Sequence, residues 1–285
     1  MPSPSSLKWI NIEKYPLGTP DAPALKATID DVRAQLQARG CAVLSNFIRP
    51  EALQEMAAEA AALAPQAYFT QAQATVYGGE PDTNFSEDHP RRYMAKRQNG
   101  FVAGDYIAMS TGLRQIYHSA ELKGFLASCM EVDQIHEFGD PLAQLVVNVV
   151  RPNHTHIWHF DSNEFAVTVL TQPAEAGGEF EYVPNIRSAN HENYDAIQQV
   201  LEGRSDTAHL IDLRPGDLQI FFGRYSLHRV RPTRGTRDRH TAVLSYSKQA
   251  GMLGKPEKTA KIFGRKLTSH DAAENLRMRD DQLTD

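Results

Sequence analysis

The spacing of hydrophobic positions changes twice along the chain and divides it into three zones. In the first, residues 1–135, apolar side chains recur at helical steps. Over residues 22–39, Leu25, Ile29, Val32 and Leu36 fall three or four apart, which predicts one apolar helix face, and Gly40 is its stop. Residues 41–47 read as a short strand, and Pro50 opens an alanine-rich helix to residue 63. Residues 76–100 are polar and carry the pair Gly78 and Gly79 and the basic residues Arg91, Arg92, Lys96 and Arg97. A stretch of that kind reads as a long loop with the character of a lid. Helical spacing returns over residues 110–130.

In the second zone, residues 140–250, the apolar runs become short and rich in β-branched and aromatic residues: 142–150, 165–170, 179–183, 208–213, 217–222 and 241–247. Turn signals separate them at Arg151-Pro152-Asn153, Gly177-Gly178 and Pro215-Gly216, and residues 185–206 interrupt them with a helical insertion. Many short strands without alternating helices predict a mainly β core, a sandwich or jelly roll, flanked by the N-terminal helices. The third zone, residues 251–285, is polar and mixed in charge and reads as a tail packed loosely on the surface. The 285 residues are expected to form a single domain.

Composition narrows the function. A hydrophobic share of 41% with 23% charged residues excludes a disordered chain. A net charge of -5 gives no positive field to attract phosphates, so nucleic acid is not the expected partner. No run approaches 18 apolar residues, so no membrane helix is expected, and the N-terminal residues lack the apolar core of a signal peptide. Together with free thiols this points to the cytoplasm. The two cysteines, Cys41 and Cys129, cannot build a disulfide scaffold or a thiolate zinc site. The 11 histidines change the picture: a metal here would be held by imidazole and carboxylate.

Candidate chemistry concentrates in Asn153-His-Thr-His-Ile-Trp-His-Phe-Asp-Ser-Asn-Glu-Phe165. Residues two apart on an extended strand face the same side, so His159 and Asp161 can converge on one ion. His228, after the Pro215-Gly216-Asp217 turn and an apolar strand, is the candidate third ligand. Two histidines and one carboxylate on one face leave positions open, the pattern of non-haem Fe(II) oxygenases. A lone histidine is more often a hydrogen-bonded structural residue. The combination of His-x-Asp, a distal histidine and a following arginine is far more specific.

These residues resemble the Fe(II)/2-oxoglutarate-dependent oxygenases, whose core is a double-stranded β-helix of the jelly-roll or cupin kind. The resemblance implies that His159, Asp161 and His228 hold Fe(II), and that Arg239, with Thr241 beside it, binds the far carboxylate of 2-oxoglutarate. Arg237, two residues earlier, is the rival anchor. Within that superfamily, His159-Phe-Asp-Ser-Asn-Glu-Phe165 and Gly177-Gly-Glu-Phe-Glu-Tyr-Val-Pro184 are similar to the free-lysine halogenases and their hydroxylase relatives. The halogenases have glycine where this chain has Asp161, and that glycine vacates a site for chloride, so the resemblance implies hydroxylation. It places His156 in the substrate pocket. An acidic residue next to the motif helps hold the substrate's amine in the lysine halogenases. Here that position is Ser162, which argues against lysine itself.

The implied reaction consumes 2-oxoglutarate and O2, releases succinate and CO2, and hydroxylates an unactivated C–H of a small polar molecule, a free amino acid or derivative. His156, Glu164, Arg91, Arg92, Lys96 and Arg97 are the candidate substrate contacts; no catalytic group beyond the metal site is assigned. The alternatives are desaturation, cyclisation or epimerisation with the same cofactors, or a jelly-roll metal-binding protein without catalysis. The sequence does not set the oligomeric state.

Overall fold

The computed structural model describes residues 6–273 and 281–284. Helix α1 (Pro23–Arg39) buries Leu25, Val32 and Leu36, and ends where Gly40 turns left-handed and returns its N–H to the Leu36 carbonyl. Strand β1 (Cys41–Leu44) is shorter than the pattern predicts, because Asn46 takes a positive φ and turns the chain. Helix α2 (Pro50–Leu63) buries Ala52, Met56 and Ala60 at four-residue steps. Strands β2 (Gln73–Ala74) and β3 (Ala95–Lys96) pair across the base of the long loop, and β4 (Asn99–Val102) follows. The helical stretch over 110–130 is two helices, α3 (Gly112–Tyr117) and α4 (Ala120–Met130). Ser119 divides them by capping α4, its hydroxyl accepting from the Leu122 N–H.

The β-rich zone runs β5 (His136–Glu137), β6 (Leu145–Val150), β7 (His156–His159), β8 (Ala166–Gln172), β9 (Ala176–Gly177) and β10 (Phe180–Val183). After α5 (Tyr194–Leu201) come β11 (His209–Ile211), β12 (Leu218–Phe221), β13 (Leu227–Val230), β14 (Thr233–Arg234), β15 (Arg239–Leu244) and β16 (Tyr246–Ser247). Two antiparallel sheets result, a larger one of order β1-β12-β8-β15-β6-β4 and a smaller one of order β11-β10-β13-β7. From β6 to β8, and again from β11 to β15, the chain steps between the sheets, which makes the core a jelly roll. The first zone is therefore not only helical: β1 and β4 extend the larger sheet at both edges.

Alternation along the larger sheet sorts its residues. Val147, Val149, Val167, Val169, Ala242 and Leu244 face the helices in the main core. Asn148, Thr168, Gln219 and Thr241 point the other way, into a cavity against the smaller sheet. Both faces are thus covered, and these four polar residues lie on the inner one.

The tail differs from its reading as a loose surface segment. Helix α6 (Pro256–Phe263) buries Pro256, Thr259 and Phe263. In α7 (Thr268–Ala273), His270 is fully buried and its Nε2 lies 2.8 Å from the Asp140 carboxylate. Asp281 forks onto the buried Arg224 at 2.5 and 2.6 Å. The polar composition conceals this, because His270 and Asp281 are paired inside rather than solvated. Asp140→Ala is expected to lower unfolding stability by about 2–4 kcal/mol in a denaturant titration, since it strips the buried His270 ring and the Leu142 N–H of their acceptor. No helix among the described residues is long and apolar enough to cross a membrane.

Candidate metal centre

Strand pairing assembles the site. β13 runs antiparallel to β7 and sets His228 opposite His159. The chain leaves β7 at His159, and Asp161 follows with its N–H bonded to the Gly223 carbonyl. The Asp161 carboxylate lies 3.7 Å from His159 Nε2 and 3.5 Å from His228 Nε2, and one ligand atom from each residue falls within 4.8 Å of the others. Each histidine bonds through Nδ1 to a backbone carbonyl, His159 to Ile157 at 2.8 Å and His228 to Ser226 at 3.0 Å. A carbonyl accepts, so Nδ1 carries the hydrogen and the Nε2 lone pairs face the centre. Burial, then the charges of His156 and His228, hold the His159 imidazolium well below its usual range. Burial pushes the Asp161 carboxyl up, but His228 and then His159 and Lys258 outweigh it and keep the group anionic. Two imidazole nitrogens and one carboxylate oxygen, converging in a cavity, fit a divalent iron ion.

Gly223 makes room for that carboxylate. A Cβ there would stand 2.0 Å from Asp161 Oδ2. Gly223→Ala is expected to displace Asp161 and lower iron affinity about 100-fold, measured by anaerobic Fe(II) titration, while the melting temperature shows the fold retained.

Arg239 opens β15 and is 4% exposed. It lines the same cavity of about 200 Å³ as the three candidate ligands, and its guanidinium donates to Thr241 Oγ1. Burial lowers it to about 10, with Glu179 opposing, so it stays charged at neutral pH. Gly178, at φ +77, lets the backbone pass close by: a Cβ there would meet Arg239 Cδ at 3.1 Å. Arg237 is elsewhere, exposed and bonded to the Pro173 and Ala174 carbonyls.

His156 faces the cavity, stacked on His159 with ring centroids 4.0 Å apart. Asn99 donates to Asn148, whose amide donates in turn to His156 Nδ1 at 3.3 Å. Of the four basic loop residues only Arg97 reaches the cavity wall. Arg91 is drawn off by Asp82 and Thr284, Arg92 by the Phe85 carbonyl, and Lys96 is exposed on β3. Glu164 also lies off the cavity, paired with Lys248 at 2.6 Å. The sequence reading missed Lys258, whose ammonium lies 2.6 Å from Ser162 Oγ at the cavity edge, because it sits in the segment read as a tail. It also missed Asn148, although that is the one polar residue in the apolar run of β6.

A family model described as Halogenase D matches residues 25–261. The chain belongs to the halogenase D family. This places it in the Fe(II)/2-oxoglutarate oxygenase superfamily, and the jelly-roll core agrees. No curated protein matches the chain. Solved structures share the fold at low identity with this halogenase D family member. An oxidoreductase of the 2OG-Fe(II) oxygenase family from Burkholderia pseudomallei is 16% identical with a TM-score of 0.50, over 79% of this chain and 92% of that one. A prolyl hydroxylase from Trichoplax adhaerens is 16% identical at 0.50, over 78% and 90%. The α-ketoglutarate-dependent epimerase SnoN of nogalamycin biosynthesis is 15% identical at 0.54, over 78% and 81%.

Proposed function

We propose that this chain is an Fe(II)/2-oxoglutarate-dependent dioxygenase that hydroxylates an unactivated C–H of a small polar substrate, a free amino acid or close derivative. The observation that supports it most is the triangle of His159, Asp161 and His228 in one cavity with the buried cation of Arg239. In this reading the triangle holds iron, and Arg239 with Thr241 holds the far carboxylate of 2-oxoglutarate, a match between a planar fork and a carboxylate. Bound iron supplies the oxidative chemistry: 2-oxoglutarate loses CO2 to become succinate, one atom of O2 enters the succinate and the other enters the C–H bond. His156 and Arg97 bind and orient the substrate, Arg97 by its charge and His156 through a ring held in place by Asn148. Phe101, Phe180 and Phe221 line the same cavity and exclude bulk water from it. Asp161 supports hydroxylation over halogenation, because its carboxylate fills the position that a bound halide requires.

The test is succinate release with Fe(II), 2-oxoglutarate and O2 across the free amino acids, followed by product mass. A gain of one oxygen in a product supports hydroxylation. Loss of two hydrogens, an unchanged mass, or a chlorine-containing product would replace it with desaturation, epimerisation or halogenation.

A further inference from the structure

A second cavity of about 650 Å³ lies beside the metal-side one, and the two share Gly78, Phe101, Asp161, Ser162, Val243 and Lys258 as walls. Two cations meet at their common rim, beside the Asp161 carboxylate. A Cβ built on Gly78 would lie 3.2 Å from Lys258 Nζ and 3.6 Å from an Arg97 terminal nitrogen, so both cations converge on one point beside the candidate metal ligands. Burial lowers Arg97, and among the described residues no carboxylate pairs with it. A desolvated guanidinium beside an ammonium is a place for a carboxylate.

The larger cavity has the opposite character. Its inner wall is Phe101, Val146, Val243, Ile262 and Phe263, contributed by β4, β6, β15 and α6. Among the described residues, the carboxylates around it are already engaged. Glu80 pairs with Lys261, Asp140 with His270, and Asp281 with Arg224, while Asp161 faces the two histidines. Glu257 remains, and it is exposed at the start of α6. An ammonium carried into this wall would lose its water without gaining a counter-charge, whereas a hydrocarbon chain gains by leaving water.

We propose that the substrate is a small carboxylate with an apolar body, its carboxylate between Arg97 and Lys258 and its chain along the Phe101, Val243 and Ile262 wall. A basic side chain is thereby rejected. This rests on the dioxygenase assignment of the same site and narrows its substrate.

Norleucine, hexanoate and lysine separate the possibilities, since they share a carboxylate and an unbranched chain. Each is titrated calorimetrically into the protein loaded with Fe(II) and 2-oxoglutarate without oxygen. Succinate release is then followed in air. At least one apolar acid is expected to bind about tenfold or more tighter than lysine. Preference for norleucine identifies an amino acid, and preference for hexanoate an acid without the amine. Lys258→Met is expected to weaken the preferred acid about tenfold. Ile262→Glu, on the cavity side of α6, is expected to move preference toward lysine by a similar factor. Lysine binding as tightly as the apolar acids, or none of the three binding, overturns the proposal. Lysine-stimulated succinate release overturns it while leaving the dioxygenase assignment standing. The expected binding order without succinate release in air supports it and removes the dioxygenase assignment instead.

Discussion

Asp161→Ala and His228→Ala are each expected to remove substrate-coupled succinate release and to lower Fe(II) affinity by more than about 100-fold. Loss of a residue that only orients a metal ligand costs roughly 10- to 100-fold, and these two are the proposed ligands themselves. Asp161 also carries the only negative charge among the three, so its removal leaves an uncompensated dication beside Arg97 and Lys258. His228 sits on β13 opposite His159, with its Nδ1 fixed by the Ser226 carbonyl. Anaerobic metal titration and single-turnover succinate assays are the measurements. Retained, substrate-stimulated turnover in either variant would mean that the metal is held elsewhere. Both side chains lie at the cavity rather than in the main apolar core, so the thermal melt of the metal-free variants is expected to stay near that of the parent.

Arg239→Ala is expected to raise the KM for 2-oxoglutarate at least about 30-fold. Truncating one partner of a buried, hydrogen-bonded charge pair costs about 2–5 kcal/mol, and each 1.4 kcal/mol is tenfold. Arg239→Lys is expected to recover only part of this, because an ammonium cannot make the two parallel bonds of a guanidinium fork. Arg237→Ala is the matched control. Its guanidinium holds exposed backbone carbonyls of the 173–174 turn, so the KM for 2-oxoglutarate is expected to stay unchanged. A KM that rose with Arg237→Ala and not with Arg239→Ala would reverse the assignment.

The candidate metal residues were legible because their spacing is local. His159 and Asp161 are two apart, and a strand parity argument puts them on one side. His228 required only the inference that a strand of the same core would carry a third candidate ligand, and the β13–β7 register sets it opposite His159. Parity could not choose between Arg237 and Arg239, which share it. What separates them is where β15 begins: Arg239 is its first residue and lines the cavity, and Arg237 is still in the turn before it. Composition misled in the tail, where Lys258, Ile262 and Asp281 read as solvated and in fact line the cavity. The basic loop was read as four equal candidates. Only pairing in three dimensions distinguishes Arg97 from Arg91 and Arg92, whose charges are already engaged. Strand β4 escaped notice because four residues at the end of a stretch read as a loop carry little periodic signal.

The contact between Gly223 and Asp161 constrains how such a site can change over generations. While the carboxylate is present, a side chain at 223 presses on it, since a Cβ there would stand 2.0 Å from Asp161 Oδ2. Once residue 161 loses its side chain, that prohibition lifts and alanine at 223 becomes harmless. Traversed the other way, the intermediate has a displaced carboxylate and, on the proposed assignment, a weakened metal site. On that assignment the two substitutions are ordered, and a return from a 161-glycine lineage to a carboxylate is disfavoured once position 223 carries a side chain. A ratchet of this kind would let reaction type persist within a lineage without selection acting on the ligand at all.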